Sequence, residues 1–300
     1  MKLCRFSTLG ATPTNPNGLG LVEGDEVIDI TAALDLIPPM RYPAPLGDQL
    51  IAHLPAILAY AADARRSAPR LPLQAVKCLS PVANPSKICN APINYQDHIA
   101  EANAAKDINH GRSYKHISDF GLFLKANSAL IGFGDEVVLR FPEKRNDHEL
   151  ELAVIIGTAC NKVSRADALK HVAGYALGLD MTIRGPEQTC WRKSVDTYAV
   201  LGPWLVTADE IADPNALDLK LEVRRADGSI EPRQATNTRH MVYDVARLIE
   251  YASSMYTLHP GDIILTGTPA GVGPVVPGDV MLCEIEGVAK AEMRVANHYA

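Results

Sequence analysis

The chain has 300 residues, 47% of them hydrophobic and 21% charged, with a formal net charge of −6. That length supports one large domain, or a large one with a small satellite, and an acidic balance without a basic stripe excludes nucleic acid as a partner. No apolar run reaches the length of a membrane span, no signal-peptide segment opens the sequence, and six scattered cysteines without a C-x-x-C pair fit reduced thiols in a cytoplasmic protein.

The 21 glycines and 21 prolines predict short elements joined by many turns. Near the start, "GLGLVEGDEVIDIT" reads as a hairpin. "LGDQLIAHLPAILAYAADARR" has helical spacing, with Leu50, Leu54, Leu58 and Ala61 or Ala62 on one face despite Pro55. The proline-rich "SAPRLPLQAVKCLSPVANPSK" closes a small N-terminal α/β domain over residues 1–75, ahead of a core domain over 76–300. "KICNAPINY" then reads as a strand and loop, and "QDHIAEANAA" as a short helix. "KDINHGRSYKHISDFG" lacks periodicity and is expected to form a mobile cover. "LFLKANSALIGFGDEVVLR" supplies two short strands around a glycine turn. "SRADALKHVAGYALGLDMT" reads as a helix capped by Ser164 and carrying Ala168, Leu169 and Val172, leading into a strand. In the last hundred residues strands alternate with turns, interrupted by the helix "MVYDVARLIEYASS" with Met241, Val245, Leu248, Ile249 and Ala252 on one stripe. The expected class is α+β and β-rich.

Within this pattern "HELELAVIIG" is anomalous. In an extended strand Glu149 and Glu151 share a face with Ala153 and Ile155, and neither face looks solvated. A buried carboxylate pair needs a compensating positive charge. "GYALGLDMT" offers a third acid, Asp180, on a face otherwise made of Gly174, Ala176 and Gly178. Three carboxylates without clustered histidine or cysteine describe a hard oxygen site for Mg²⁺, Mn²⁺ or Ca²⁺. The other reading pairs one glutamate with Arg140 or Arg145 and leaves the other at an exposed edge. His98 and Glu101, at i and i+3, are either a carboxylate-oriented imidazole that activates water or a surface salt pair. Lys193 either points into a cleft and stabilises a developing oxyanion or is a surface charge. "LTGTPAGVGP", lacking G-K-[ST], is a turn or a carboxylate-binding loop.

In order, "NYQDHIAEA", "LFLKANSALIG", "HELELAVIIG", "GYALGLDMTIR", "KSVDTYAVLGPWLVT", "NTRHMVYDVARLIEYASS" and "LHPGDIILTGTPAGVGP" resemble the fumarylacetoacetate hydrolase superfamily, from about residue 85 to the C-terminus. The resemblance implies a mixed β-sandwich roll, a homodimer, and a Mg²⁺ or Mn²⁺ ion held by Glu149, Glu151 and Asp180. It implies that His98 and Glu101 activate water, that Lys193 stabilises negative charge, and that Tyr95, Lys125, Arg184 and Thr268 contact substrate. A lid is expected over about residues 96–119. The implied activity is hydrolysis of a C–C bond in a small 1,3-dicarbonyl or 2-oxo acid of the acylpyruvate type, in aromatic or sugar-acid catabolism. Alternatives are an isomerase or decarboxylase of 2-hydroxymuconate-type acids, and a non-catalytic metal-binding protein. Where such hydrolases commonly read R-D-x-Q this chain has Arg184-Gly185-Pro186-Glu187, and Pro92 replaces a glycine; both departures touch substrate identity more than reaction class.

Overall fold

The computed structural model describes residues 1–8, 18–105, 111, 113 and 115–297. The N-terminal strands β1 (Lys2–Thr8), β2 (Gly18–Glu23), β3 (Glu26–Asp29), β4 (Arg70–Pro72) and β5 (Val76–Leu79) include the expected hairpin, with Gly24 at positive φ in the turn. They are hydrogen-bonded into the same sheet as β6 (Ile88–Asn90), β7 (Phe123–Lys125), β8 (Leu130–Ile131), β11 (Leu150–Ile156), β12 (Val172–Asp180), β14 (Ala199–Thr207) and β17 (Ile263–Leu265). The order is β4-β3-β2-β1-β14-β12-β11-β17-β6-β7, with β5 on β1 and β8 on β14.

The middle of this sheet is covered on both faces, which is why its strands read as continuous apolar runs. Leu150, Leu152, Val154 and Ile156 of β11 enter the larger core, while Ala153 and Ile155 enter the smaller one. The larger core lies against a five-stranded sheet ordered β16-β15-β19-β20-β9, built from β9 (Glu136–Leu139), β15 (Asp218–Arg224), β16 (Ile230–Asn237), β19 (Val280–Ile285) and β20 (Ala289–Asn297). Strict alternation on β15 buries Leu219, Leu221 and Val223 there. The smaller core is closed by α1 (Gln49–Ala52) and α2 (Leu54–Ala64), which bury Leu50, Ile51, Leu54, Ile57 and Ala61. The helical segment is thus broken at His53, just before Pro55. Asp48 caps α1 through the Leu50 and Ile51 N–H groups and also accepts those of Ala83 and Asn84, tying the helix to the chain beyond the N-terminal strands. A small sheet, β13-β10-β18, joins β10 (Asn146–His148), β13 (Thr182–Ile183) and β18 (Gly273–Pro274). The expected β-rich α+β class holds.

One expected helix does not form. Between Ser164 and Val172 only a single 3₁₀ turn, Ala168–His171, is present. The Ser164 hydroxyl donates to Asp167 instead of capping, and from Val172 onward the backbone is claimed by pairing with β11. The apolar run there is too short to outweigh a strand partner on each side. By contrast, Val245–Met255 is helical, capped by Asp244, and buries Val245, Leu248, Ile249 and Ala252.

The small residues of β12 serve close packing. A Cβ at Gly178 would lie 2.4 Å from Leu265 Cδ2, and one at Gly174 would lie 2.1 Å from the Val206 carbonyl oxygen. Backbone cannot yield as a side-chain tip does, so Gly174→Ala should destabilise the fold by about 3 kcal/mol. Urea unfolding would check this, and an unchanged midpoint would mean that β12 and β14 can separate at no cost.

Candidate active site

The three acids come from adjoining strands. Glu149 precedes β11, Glu151 lies within it opposite Gly178, and the Asp180 N–H at the end of β12 donates to the Glu149 carbonyl at 2.9 Å. Their carboxylate oxygens fall within 4.8 Å of one another, and all three residues are buried. The surface pairing considered for the glutamates does not occur, because Arg140 bonds Asp196 and Arg145 bonds Asp147.

Cations from three directions meet this cluster. Lys193, at the end of the short helix Thr189–Lys193, donates from Nζ to Glu149 Oε2 at 2.8 Å, Asp180 Oδ2 at 2.6 Å and Thr182 Oγ1 at 2.7 Å. Arg184 bridges Glu149 Oε1 at 2.7 Å and Asp147 Oδ2 at 2.8 Å, and Lys125 donates to Asp180 Oδ1. Glu151 is treated differently: it accepts the Gly267 N–H at 2.6 Å, and among the described residues no cation pairs with it.

The electrostatics follow from that asymmetry. Burial opposes ionisation of Glu149, but Lys193 and Arg184 outweigh it and hold the carboxyl below the usual range. Burial pushes Glu151 well upward, and the negative charges of Asp180 and Glu149 push it further. Burial also drives Lys125 down, against the pull of Asp180, while in Lys193 the Asp180 and Glu149 charges overcome burial and raise it. An all-oxygen cluster with one uncompensated acid matches the preferences of a hard divalent ion such as Mn²⁺ or Mg²⁺. Glu149, Glu151 and Asp180 are the side chains that would hold it.

His98 and Glu101 are also brought together. His98 and Glu101 lie on α3 (Gln96–Ala104), and His98 Nδ1 meets Glu101 Oε2 at 2.9 Å. The other Glu101 oxygen accepts the Gly271 N–H at 3.0 Å, so the carboxylate is fixed between the helix and the loop after "TGTP". With Nδ1 engaged, Nε2 is the ring nitrogen left to take a proton. His98 lines a cavity of about 370 Å³ together with Glu149, Arg184, Lys193, Phe123 and Arg192. Pro92, noted in the sequence as a departure, is part of the same wall.

Thr268 and Tyr95, two residues expected at the substrate, are not among those lining this cavity. Thr268 donates to the Leu150 carbonyl at 3.0 Å and accepts from Gln234 at 2.8 Å, which fixes the loop carrying Gly267. Tyr95 is buried, its hydroxyl has no hydrogen-bond partner among the described residues, and burial and the Glu151 charge both push it upward. Of the expected cover, residues 106–110, 112 and 114 lie outside the described residues; Phe120 and Gly121 border the cavity. Sequence reasoning missed Asp147, which orients Arg184. The D-H-E run containing it was the available signal.

Known proteins resemble this chain. The family model described as Fumarylacetoacetate (FAA) hydrolase C-terminal matches residues 87–296. A maleylpyruvate hydrolase of Aquipseudomonas alcaligenes is 51% identical over 290 residues, 96% of this chain and 96% of the relative. The crystal structure of a maleylpyruvate hydrolase from Sphingobium sp. SYK-6 in complex with manganese(II) and pyruvate superposes with a TM-score of 0.79 at 39% identity, covering 99% of each chain. A 5-carboxymethyl-2-hydroxymuconate delta-isomerase from Mycobacterium smegmatis matches with a TM-score of 0.69 at 29% identity, over 99% of this chain and 100% of that one.

Proposed function

The chain belongs to the fumarylacetoacetate hydrolase family, and from that premise we propose that it is a divalent-metal-dependent hydrolase of acylpyruvates of the maleylpyruvate type. The observation that carries this reading is the convergence on one cavity of the acidic triad's Glu149, the His98–Glu101 pair and Lys193. A bound divalent ion supplies Lewis acidity at the substrate's 2-oxo acid half. His98, oriented by Glu101, takes a proton from water, whose oxygen adds to the distal carbonyl carbon. The bond between that carbon and the neighbouring methylene then breaks. One fragment leaves as a carboxylic acid and the other as the pyruvate enolate, which is reprotonated. Lys193 and Arg184 stabilise the negative charge that develops near Glu149, and Lys125 holds Asp180 in place.

The isomerase alternative keeps a structural relative but needs no activated water, and the carboxylate-oriented imidazole of His98 at this cavity favours the hydrolytic reading. A homodimer, a cytoplasmic location, Mg²⁺ as an alternative ion, and a division near residue 75 complete the proposal. The test is an assay of maleylpyruvate with Mn²⁺ or Mg²⁺, with and without chelator. Pyruvate and maleate should form in equal amounts and only with metal. Turnover in excess chelator, or an isomer as product, would overturn the reading.

A further inference from the structure

We propose that Gln234 is a positioning residue that couples the two halves of the site, holding the metal-ligand strand and the support of the His98–Glu101 pair together through one buried amide. Its kinetic part rests on the acylpyruvate reading; its effect on metal binding does not. Gln234 is not among the residues lining the cavity. It lies on β16, the edge strand of the five-stranded sheet, and is 1% exposed. Beside it the pairing with β15 slips. Leu221 faces Gln234 and Glu222 faces Pro232, which leaves Arg233 as a bulge. A bulge re-aims the side chain beside it, and Gln234 reaches out of its own sheet to β11.

Both ends of the amide are used. Oε1 accepts the Leu150 N–H at 3.0 Å, and Nε2 donates to Thr268 Oγ1 at 2.8 Å and to the Pro269 carbonyl at 2.9 Å. Thr268 in turn donates to the Leu150 carbonyl at 3.0 Å. Leu150 stands between Glu149 and Glu151, beyond the reach of β17, which pairs with Ala153, Val154 and Ile155. Gln234 and Thr268 therefore satisfy the backbone groups that a strand partner would otherwise take. The loop they hold serves both halves of the site. Its Gly267 N–H bonds Glu151 at 2.6 Å, and its Gly271 N–H bonds Glu101 at 3.0 Å. Gly271, at positive φ, is seated on the bulge itself, since a Cβ there would lie 1.9 Å from the Arg233 carbonyl oxygen. A shift of β16 against this loop would thus disturb the supports of Glu151 and Glu101 together.

The test uses Gln234→Met, which keeps the length of the side chain and removes the amide. In the folded variant the Kd for Mn²⁺ should rise about 10-fold, and kcat on maleylpyruvate at saturating Mn²⁺ should fall about 10- to 100-fold with little change in KM. That loss of kcat passes through Glu101 and His98. In a His98→Ala background the same substitution should therefore cost no more than about threefold in kcat, while its effect on Mn²⁺ affinity persists. Thr268→Val cuts the link from the loop end and should weaken Mn²⁺ binding in the same direction, which decides the matter if Gln234→Met does not fold. A lower melting temperature with Mn²⁺ affinity unchanged would overturn the proposal and leave Gln234 a packing residue. So would a kcat loss undiminished in His98→Ala. A wild type that cleaves no acylpyruvate would sink the functional reading, and the Mn²⁺ titrations would still decide whether Gln234 sets the metal ligands.

Discussion

Glu151→Gln should yield a folded protein that no longer gains thermal stability from Mn²⁺ and whose kcat/KM falls at least 10³-fold. The variant is chosen for the asymmetry of the triad. Removing Asp180 would leave the buried Lys125 ammonium without its carboxylate, and removing Glu149 would take one of two carboxylates from both Lys193 and Arg184, changes that destabilise the fold apart from any metal. Among the described residues Glu151 has only the Gly267 N–H, which an amide oxygen can still accept. The neutral amide stands in for the protonated carboxyl that burial and the Asp180 and Glu149 charges favour in the metal-free fold, so the metal-free variant should melt no lower than the metal-free wild type. In the wild type, Mn²⁺ at a hundred times its Kd should stabilise the fold by about 2.7 kcal/mol, and this increment should vanish. A variant that kept the full Mn²⁺-induced shift would remove Glu151 from the metal site.

The same residue sets a pH dependence whose sign is opposite to that of an ordinary ion-paired carboxylate. Its carboxyl titrates well above the usual 4.5 in the metal-free fold, so its contribution favours the metal-free protein at low pH and is lost as pH rises through the raised value. Metal must displace that proton. Affinity for Mn²⁺ should therefore weaken as pH falls through this range, and the melting shift caused by Mn²⁺ should grow with pH. A shift independent of pH across it would show that Glu151 enters the complex already ionised.

Much of this centre is legible in the residues alone, because burial and charge conflict openly in "HELELAVIIG". The alternation there placed Glu149 and Glu151 on one face and implied a positive partner, and Lys193 and Arg184 are such partners. His98 and Glu101 were visible because one helical turn brings i and i+3 together, and they meet at 2.9 Å. What could not be read is whatever depends on chain closure between distant segments. Lys125 ends a three-residue strand that looks like any edge, yet its ammonium reaches Asp180, fifty-five residues away. Nothing in the sequence sets Arg192, beside Lys193, apart from a surface charge, yet its Nε donates to the Glu187 carbonyl and it lines the cavity. The error over "SRADALKHVAGY" is of the same kind. Local periodicity suggested a helix, and pairing between β11 and β12, set by tertiary register, decided for a strand.

His98→Ala should separate water activation from metal binding. The side chain lies outside the triad, so the Mn²⁺-induced melting shift should persist, with KM changed little. A general base of this kind is worth 10²–10⁴ in rate, and kcat for C–C cleavage should fall about 10³-fold. Glu101→Gln should cost less, about 10- to 100-fold. The amide can still accept from Gly271, but it no longer offers a charged acceptor that fixes the imidazole through Nδ1. The two variants also decide between cleavage and tautomerisation. An enzyme that only moves a proton within an enolised 2-oxo acid has no need of activated water, and its turnover would survive the loss of His98. If cleavage itself survived in His98→Ala, the attacking water would have to be activated elsewhere, and the pair on α3 would revert to a buried ion pair that merely docks the helix on the Gly271 loop.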